Sequence, residues 1–180
     1  FYDRMGAGPP REVLQLDGRR LIRVVMAAPG YPDPFSGGAT ASVRPPSVVR
    51  FARELRSPYL LQYSLGVERQ ALEKVAVSVQ HTGVRGRKQF RSRDLNAPVP
   101  PEWKRPDGSL GVVRQIESSA GMVTHALDAG LRGDLGRFFN GGVRYTLGRA
   151  HNDTGGIDAL PADSRDLRGE WGRANFDRRH

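Results

Sequence analysis

Four stretches of this chain alternate apolar and polar residues with a period of two, and no comparably long stretch carries a helical period. Successive side chains of a strand point to opposite faces, so such alternation specifies strands with one apolar and one polar face. From Tyr59 to Glu68, the residues Tyr59, Leu61, Tyr63, Leu65 and Val67 share one face, and Gln62, Ser64, Gly66 and Glu68 the other. After a short link, Val75, Val77 and Val79 alternate with Ala76, Ser78 and Gln80. Two alternating runs with a short link read as a hairpin. The design repeats: Val123, Leu127, Ala129 and Leu131 oppose Thr124, Asp128 and Gly130. Beyond a Gly-bearing link, Phe139, Val143, Tyr145 and Leu147 oppose Asn140, Gly142, Arg144, Thr146 and Gly148.

The connections are unequal. The links inside the hairpins are short, whereas residues 29–57, 83–121 and 149–172 are long and rich in Pro, Gly, Arg, Asn and Asp. Within them the sequence predicts one turn of helix at Val48 to Leu55 and a short strand at Val112 to Ile116. Short turns alternating with long loops are the habit of transmembrane barrels, while soluble sandwiches space their turns more evenly. The polar face points the same way. It is small or neutral (Gln62, Ser64, Gly66, Ala76, Ser78, Gln80, Gly142) rather than Lys- and Glu-rich. The apolar face carries Leu and Val, with Tyr59, Phe139 and Tyr145 toward strand ends, as a lipid-facing band with aromatic girdles does. On pattern alone, a membrane barrel and a soluble β-sandwich binding polyanions or glycans both satisfy these runs.

Composition removes other classes. No run approaches the roughly 18 apolar residues of a membrane helix. The 180 residues contain no cysteine, which excludes disulfides and thiolate metal sites. A net charge of +9, from 28 basic and 19 acidic residues, points to a polyanionic partner or a plain basic surface. The first residues hold no signal peptide. The chain starts without Met and stops at Arg178-Arg179-His180, so an internal piece of a longer protein is expected.

Several runs resemble a known family. Arg56-Ser-Pro-Tyr-Leu-Leu-Gln-Tyr-Ser-Leu-Gly-Val-Glu-Arg69 resembles a barrel strand of TonB-dependent receptors, in the Oar-like branch whose members carry a carboxypeptidase-regulatory-like domain. Val77-Ser-Val-Gln-His-Thr-Gly-Val-Arg-Gly86 resembles the following strand, and Phe90-Arg-Ser-Arg-Asp-Leu-Asn-Ala-Pro98 the loop after it. Glu117-Ser-Ser, Thr124-His-Ala-Leu, Tyr145-Thr-Leu-Gly-Arg149, Asn152-Asp-Thr-Gly and Gly172-Arg-Ala-Asn-Phe-Asp-Arg-Arg-His180 continue in the same order, and Phe1-Tyr-Asp-Arg4 resembles the end of an earlier strand. His81 departs from the pattern, standing where an aromatic is expected.

The resemblance implies an all-β fold: an antiparallel meander of transmembrane hairpins, part of a large outer-membrane barrel with long extracellular loops. Residues 1–180 are then a partial barrel domain without plug or signal peptide. It implies residence in the outer membrane of a Gram-negative bacterium, and ligand uptake or surface binding for a substrate the sequence does not name. It also implies contact with lipid and lipopolysaccharide, and energisation by TonB through an N-terminal part not contained here.

In that reading Gln62, Ser64, Gln80, Asp128, Asn140 and Arg144 are lumen-facing candidates. Arg85, Arg87, Lys88, Arg91 and Arg93, with Phe90 among them, form a basic run on an outer loop. It suits lipopolysaccharide phosphates better than nucleic acid, though a plain solvated loop is the simplest reading. No catalytic, cofactor-binding or metal residues are assigned, and no enzyme is expected. His125 and Asp128 alternate to opposite faces, so they make no triad. His81, His125, His151 and His180 have no metal-ligand spacing. His151-Asn-Asp-Thr-Gly-Gly-Ile-Asp158 offers oxygen ligands for calcium but lacks the EF-hand order, so a polar turn is the stronger reading.

Overall fold

The computed structural model describes residues 8–21, 23–35, 40–134 and 140–180. Phe139 and the runs at Phe1 to Arg4 and Gly6-Ala7 lie outside the described residues. One sheet dominates. Its principal strands are β4 (Tyr59–Leu72), β5 (Val75–Asp94), β6 (Val113–Asp134) and β7 (Asn140–Asn152), each antiparallel to the next, followed by the short β8 (Gly172–Arg173) against β7. The elements before them are a helix α1 (Gly8–Gln15), a separate hairpin of β1 (Arg23–Ala27) and β2 (Thr40–Arg44), and β3 (Val48–Phe51).

The connection 73–74 and the paired strand ends Asp134 and Asn140 fall at one end of the sheet, and residues 95–112 and 153–171 join strands at the other. The expected alternation of short and long connections is thus present, with strands longer than the sequence suggests. A strand needs only about 9–11 residues to cross a bilayer, yet β5 has 20 residues and β6 has 22. The predicted loop at 83–121 is therefore mostly strand. Its first part continues β5, and the short strand expected at Val112 to Ile116 is the upper end of β6.

The ladder has two regimes. From Val75↔Gly133 to Gly86↔Met122 the β5–β6 register runs without a break, with β4 and β7 on either side. This part is a single layer, open on both faces. A shift between Gly86 and Gln89 then interrupts the register, with Lys88 left-handed at φ 54°. A β-bulge of this kind re-aims a strand and raises its twist. Above it the sheet becomes two-sided. Here β3 takes the edge of β6 that β7 occupies lower down, pairing Val48↔Val113 to Phe51↔Ile116 in parallel. In place of the helix expected at Val48 to Leu55 stand a strand over Val48–Phe51 and a turn at Arg53-Glu54. Pro45 and Pro46 bias the chain entering it away from helical dihedrals, and the backbone groups of β6 offer a ladder.

The buried core lies in this upper part: Val49, Phe90, Val113, Ile116 and Ala120, joined by Ala150 and Ala174. Below the bulge, Leu65 is 75% and Val67 71% exposed. A sandwich needs a second sheet packed face to face at about 10 Å, and the described residues contain none over the β4–β7 band. Ile116, 1% exposed, is the best-buried apolar residue. Ile116→Ala is expected to destabilise the upper part by about 2–5 kcal/mol, read as faster amide exchange in β3 and in β5 above Gly86 with the lower ladder unchanged.

Candidate functional site

Register assigns every strand residue below the bulge to one of two faces. One face carries rows running across β4, β5, β6 and β7: Val67–Val79–Ala129–Tyr145, then Leu65–His81–Leu127–Leu147, then Tyr63–Gly83–His125–Arg149. From Val75 to Arg85 this face spans ten residue steps, roughly 33 Å of strand, or about 25 Å of height at a usual barrel tilt of 35–45°. That is the height of a lipid-facing band. The large exposed apolar side chains here form one continuous patch, which monomers in water rarely tolerate.

A ring belt crosses the upper part of this face. The His81 ring lies 5.8 Å from that of Tyr63 and 5.5 Å from that of His125, the latter pair stacked. His81, which departs from the expected aromatic, thus stands inside a belt of rings. Gly83 makes the belt possible: a Cβ there would lie 2.2 Å from Tyr63 Cζ, so only glycine lets the Tyr63 ring lie across the strand.

The opposite face carries the polar and small residues. Gln62, Ser64, Gln80, Asp128, Asn140 and Arg144 all fall on it. Gln80 is the cross-strand partner of Asp128, and Thr146 Oγ1 donates to Asp128 Oδ1 at 2.5 Å. His125 is on the other face, as the alternation requires. At the hairpin end a concavity of about 850 Å³ is lined by Glu68, Lys74, Ser78, Arg132, Asn140 and Arg144, among others.

The basic run divides. Arg85 and Arg87 lie exposed on the apolar face, at its upper rim, and the Lys88 ammonium sits 5.4 Å from the Tyr59 ring centroid. Arg91 and Arg93 do not lie on an accessible loop. They belong to β5 above the bulge, where Arg91 is buried against Asp153 (Nη1 to Oδ2 3.3 Å) and Arg93 pairs with Glu117 at 3.0 Å. Arg91 is an internal cation, and a buried guanidinium needs a carboxylate of its own, while Arg93 is half-buried on its acid. Asp153 is occupied in turn, its Oδ1 accepting from Gly121 N–H at 2.7 Å. The oxygen-rich turn at 151–158 is therefore built around an arginine. No cluster of potential metal ligands occurs among the described residues.

Asp94 and Asn96 hold the connection 95–112. Asp94 Oδ1 accepts from the N–H groups of Asn96 and Val113, and Oδ2 takes Arg105 at 2.8 Å. The Asn96 amide donates to the carbonyls of Asp107, Leu110 and Gly111. These two residues are a structural clasp that alternation has no means to indicate. Nearby, a recess of about 280 Å³ is lined by Leu16, Leu21, Arg23, Arg44, Pro45 and Leu110, among others, with Arg23 directly opposite Arg44 across the β1–β2 ladder.

Ser109 donates from its hydroxyl and its backbone N–H to the Asp107 carboxylate, and this holds the Asp107 pKa below its ordinary 3.8. A depressed carboxylate contributes stability that is complete above the unfolded pKa and is lost as pH falls through the folded one. Amide protection over residues 107–111, corrected for the intrinsic pH dependence of exchange, is therefore expected to be equal at pH 7 and pH 5, and to fall only below about pH 3.8.

Residues 11–180 match the model of a protein family described as an outer membrane beta barrel domain. No curated protein and no solved structure matches the chain significantly.

Proposed function

The chain belongs to the outer membrane beta barrel domain family, an outer-membrane assignment, and from this premise we propose that it forms part of the barrel of a TonB-dependent receptor of the Oar-like branch, which binds a ligand at the cell surface and passes it inward without transforming it. The observation that carries this reading is the two-faced single layer of β4 to β7, of membrane height, surmounted by an ordered cap. In this reading the apolar face meets lipid. The face with Gln62, Ser64, Gln80, Asp128, Asn140 and Arg144 lines the lumen. The long connections lie outside the cell, as in transmembrane barrels generally.

Sheet closure follows from the same physics. Unpaired backbone groups in hydrocarbon cost several kcal/mol each, so the free edge of β4 takes a further strand. The lumen face favours a wide, hydrated interior: glycine, serine and glutamine leave room, and Asp128, Arg132 and Arg144 hold water. The recess beside Arg23 and Arg44 suits recognition of a small anion-bearing ligand at the outer surface, since two like charges placed directly across a ladder disfavour each other until an anion lies between them. TonB would energise transport through a part of the parent protein outside these residues.

Two measurements test the reading. Leu65→Arg is expected to weaken assembly by about 2–4 kcal/mol near the midplane, and Ser64→Arg by much less; both are read as the folded fraction in outer membranes on heat-modifiable gels. Equal effects at the two positions would reverse or remove the face assignment. For transport, cells expressing the full reading frame are expected to lose accumulation, though not surface binding, of the cognate ligand when a protonophore collapses the inner-membrane gradient. Accumulation insensitive to the protonophore would point to a passive pore.

A further inference from the structure

The geometry points to the recess between the β1–β2 hairpin and the connection 95–112 as a binding site for a compact amphipathic carboxylate, a single carboxylate on a small apolar body. The inference rests on the outer-surface placement of the recess proposed above and adds the chemical class of its ligand.

One sign of charge sets this recess apart. The concavity at the hairpin end of the sheet mixes signs, with Glu68 and Asp134 lining it beside Arg132 and Arg144. The recess is lined by Arg23, Arg44 and Arg105 and, among the described residues, by no Asp or Glu. The acids nearest to it in sequence are engaged by their own turns. Asp17, next to Leu16, accepts from the N–H groups of Arg19 and Arg20, and Asp107, next to Gly108, accepts from Ser109. Asp94 holds Arg105 at 2.8 Å. Arg105 therefore brings donors whose charge is already offset. Arg23 and Arg44 bring net charge, since neither has an ion pair among the described residues. They stand directly opposite one another across the β1–β2 ladder, where like charges repel. A carboxylate between them relieves that repulsion, because each of its oxygens accepts from a guanidinium fork.

The remaining walls select the body of the ligand. Leu16, Leu21, Leu110 and Val112 line the recess with Pro45 and Pro46, so its surface beside the arginines is apolar. A bare hydrated anion would leave that surface unused, and an apolar carboxylate uses both. Size narrows the class. Ligand pockets usually hold about 300–1,000 Å³, and this recess holds about 280 Å³. At roughly 30 Å³ for each water-sized group, it admits about nine such groups, which is one ring or a short chain with its carboxylate. Part of the site is preformed. Gly111 N–H donates to the Pro46 carbonyl at 2.9 Å, and Val48 N–H to the Val112 carbonyl at 2.8 Å. A Cβ at Gly111 would lie 2.9 Å from Ser47 Oγ, so glycine lets the connection close against that segment. The Asn96 amide holds the Leu110 and Gly111 carbonyls from the other side. The hairpin wall is weaker, since a two-stranded sheet is marginal by itself in water. A ligand that neutralises Arg23 and Arg44 therefore also steadies β1 and β2.

The test is calorimetric titration of the protein encoded by the full reading frame, in mild detergent, with benzoate, benzamide, acetate and inorganic phosphate. Benzoate has the size and chemistry of the site, benzamide removes the charge at equal size, and acetate keeps the charge without the ring. Saturable benzoate binding is expected in the millimolar range, the affinity open to so small a ligand. Benzoate is expected to bind about tenfold or more tighter than benzamide and than acetate, the scale of losing a charge-assisted hydrogen bond or the burial of a ring. Amide exchange in Arg23–Ala27 and Thr40–Arg44 is expected to slow when benzoate is added. The double variant Arg23→Gln, Arg44→Gln is expected to erase the preference for benzoate over benzamide, and Arg132→Gln with Arg144→Gln, in the other concavity, to keep it. If the first variant fails to assemble, the comparison of probes on the wild type decides alone. Absence of saturable benzoate binding overturns the proposal, as do equal binding of benzoate and benzamide and an undiminished preference in the first variant. Acetate or phosphate binding as tightly as benzoate would mark a bare-anion site and also overturn it. Accumulation insensitive to a protonophore, with the benzoate preference intact, removes active transport and leaves the site. Protonophore-sensitive accumulation, with benzoate and benzamide bound equally, removes only the site.

Discussion

A backbone amide inside hydrocarbon has no water to turn to, so each N–H and C=O must be paired within the protein. The long antiparallel ladder of β4, β5, β6 and β7 meets that demand over a membrane's height. It also frees the side chains from making a core. Two opposite solvents are satisfied by alternation alone, so Leu65 and Ser64 can be neighbours in sequence and belong to different phases. This explains why the best-buried residues of the chain are not its most apolar strand residues.

Where the ladder leaves the bilayer, the demand changes. Above the bulge at Gly86 to Gln89, water is available to the backbone, and the sheet gains stability as soluble proteins do, by covering itself. There β3 adds a parallel strand to β6, and the Asp94–Asn96 clasp gathers the connection 95–112. The buried Arg91 and the half-buried Arg93, Arg105 and Arg114 each sit on a carboxylate. The cap is therefore a covered continuation of the same sheet.

The two populations of arginine follow from this change of medium. In the cap Arg91, Arg93, Arg105 and Arg114 each meet an acid of the chain. At the rim of the apolar face Arg85, Arg87 and Arg149 have no such partner, and acids are absent from that face among the described residues of β4 to β7 below the bulge. Charge segregation of this kind is a property of the whole sheet, visible only once the four registers are laid side by side.

Much of this was legible in the chain. Period-two runs at Tyr59 to Glu68 and at Val123 to Leu131 name their strands and their faces, because strand geometry couples parity to direction without reference to anything distant. The resemblance to a barrel receptor, together with unequal connections, indicates the medium. Alternation falls silent where both faces are covered. From Phe90 to Asp94 and from Glu117 to Ala120, polar and apolar residues are buried alike, so the pattern reads as loop. The pairing of Val48 to Phe51 with β6 joins residues more than sixty positions apart, and the partner of Arg91 is equally remote. The sequence by itself determined which residues point which way in the membrane band, since that is local stereochemistry. Only the tertiary structure decided which arginines are neutralised inside the cap and which stand open at the rim, since ion pairing depends on contacts between segments that local pattern does not record.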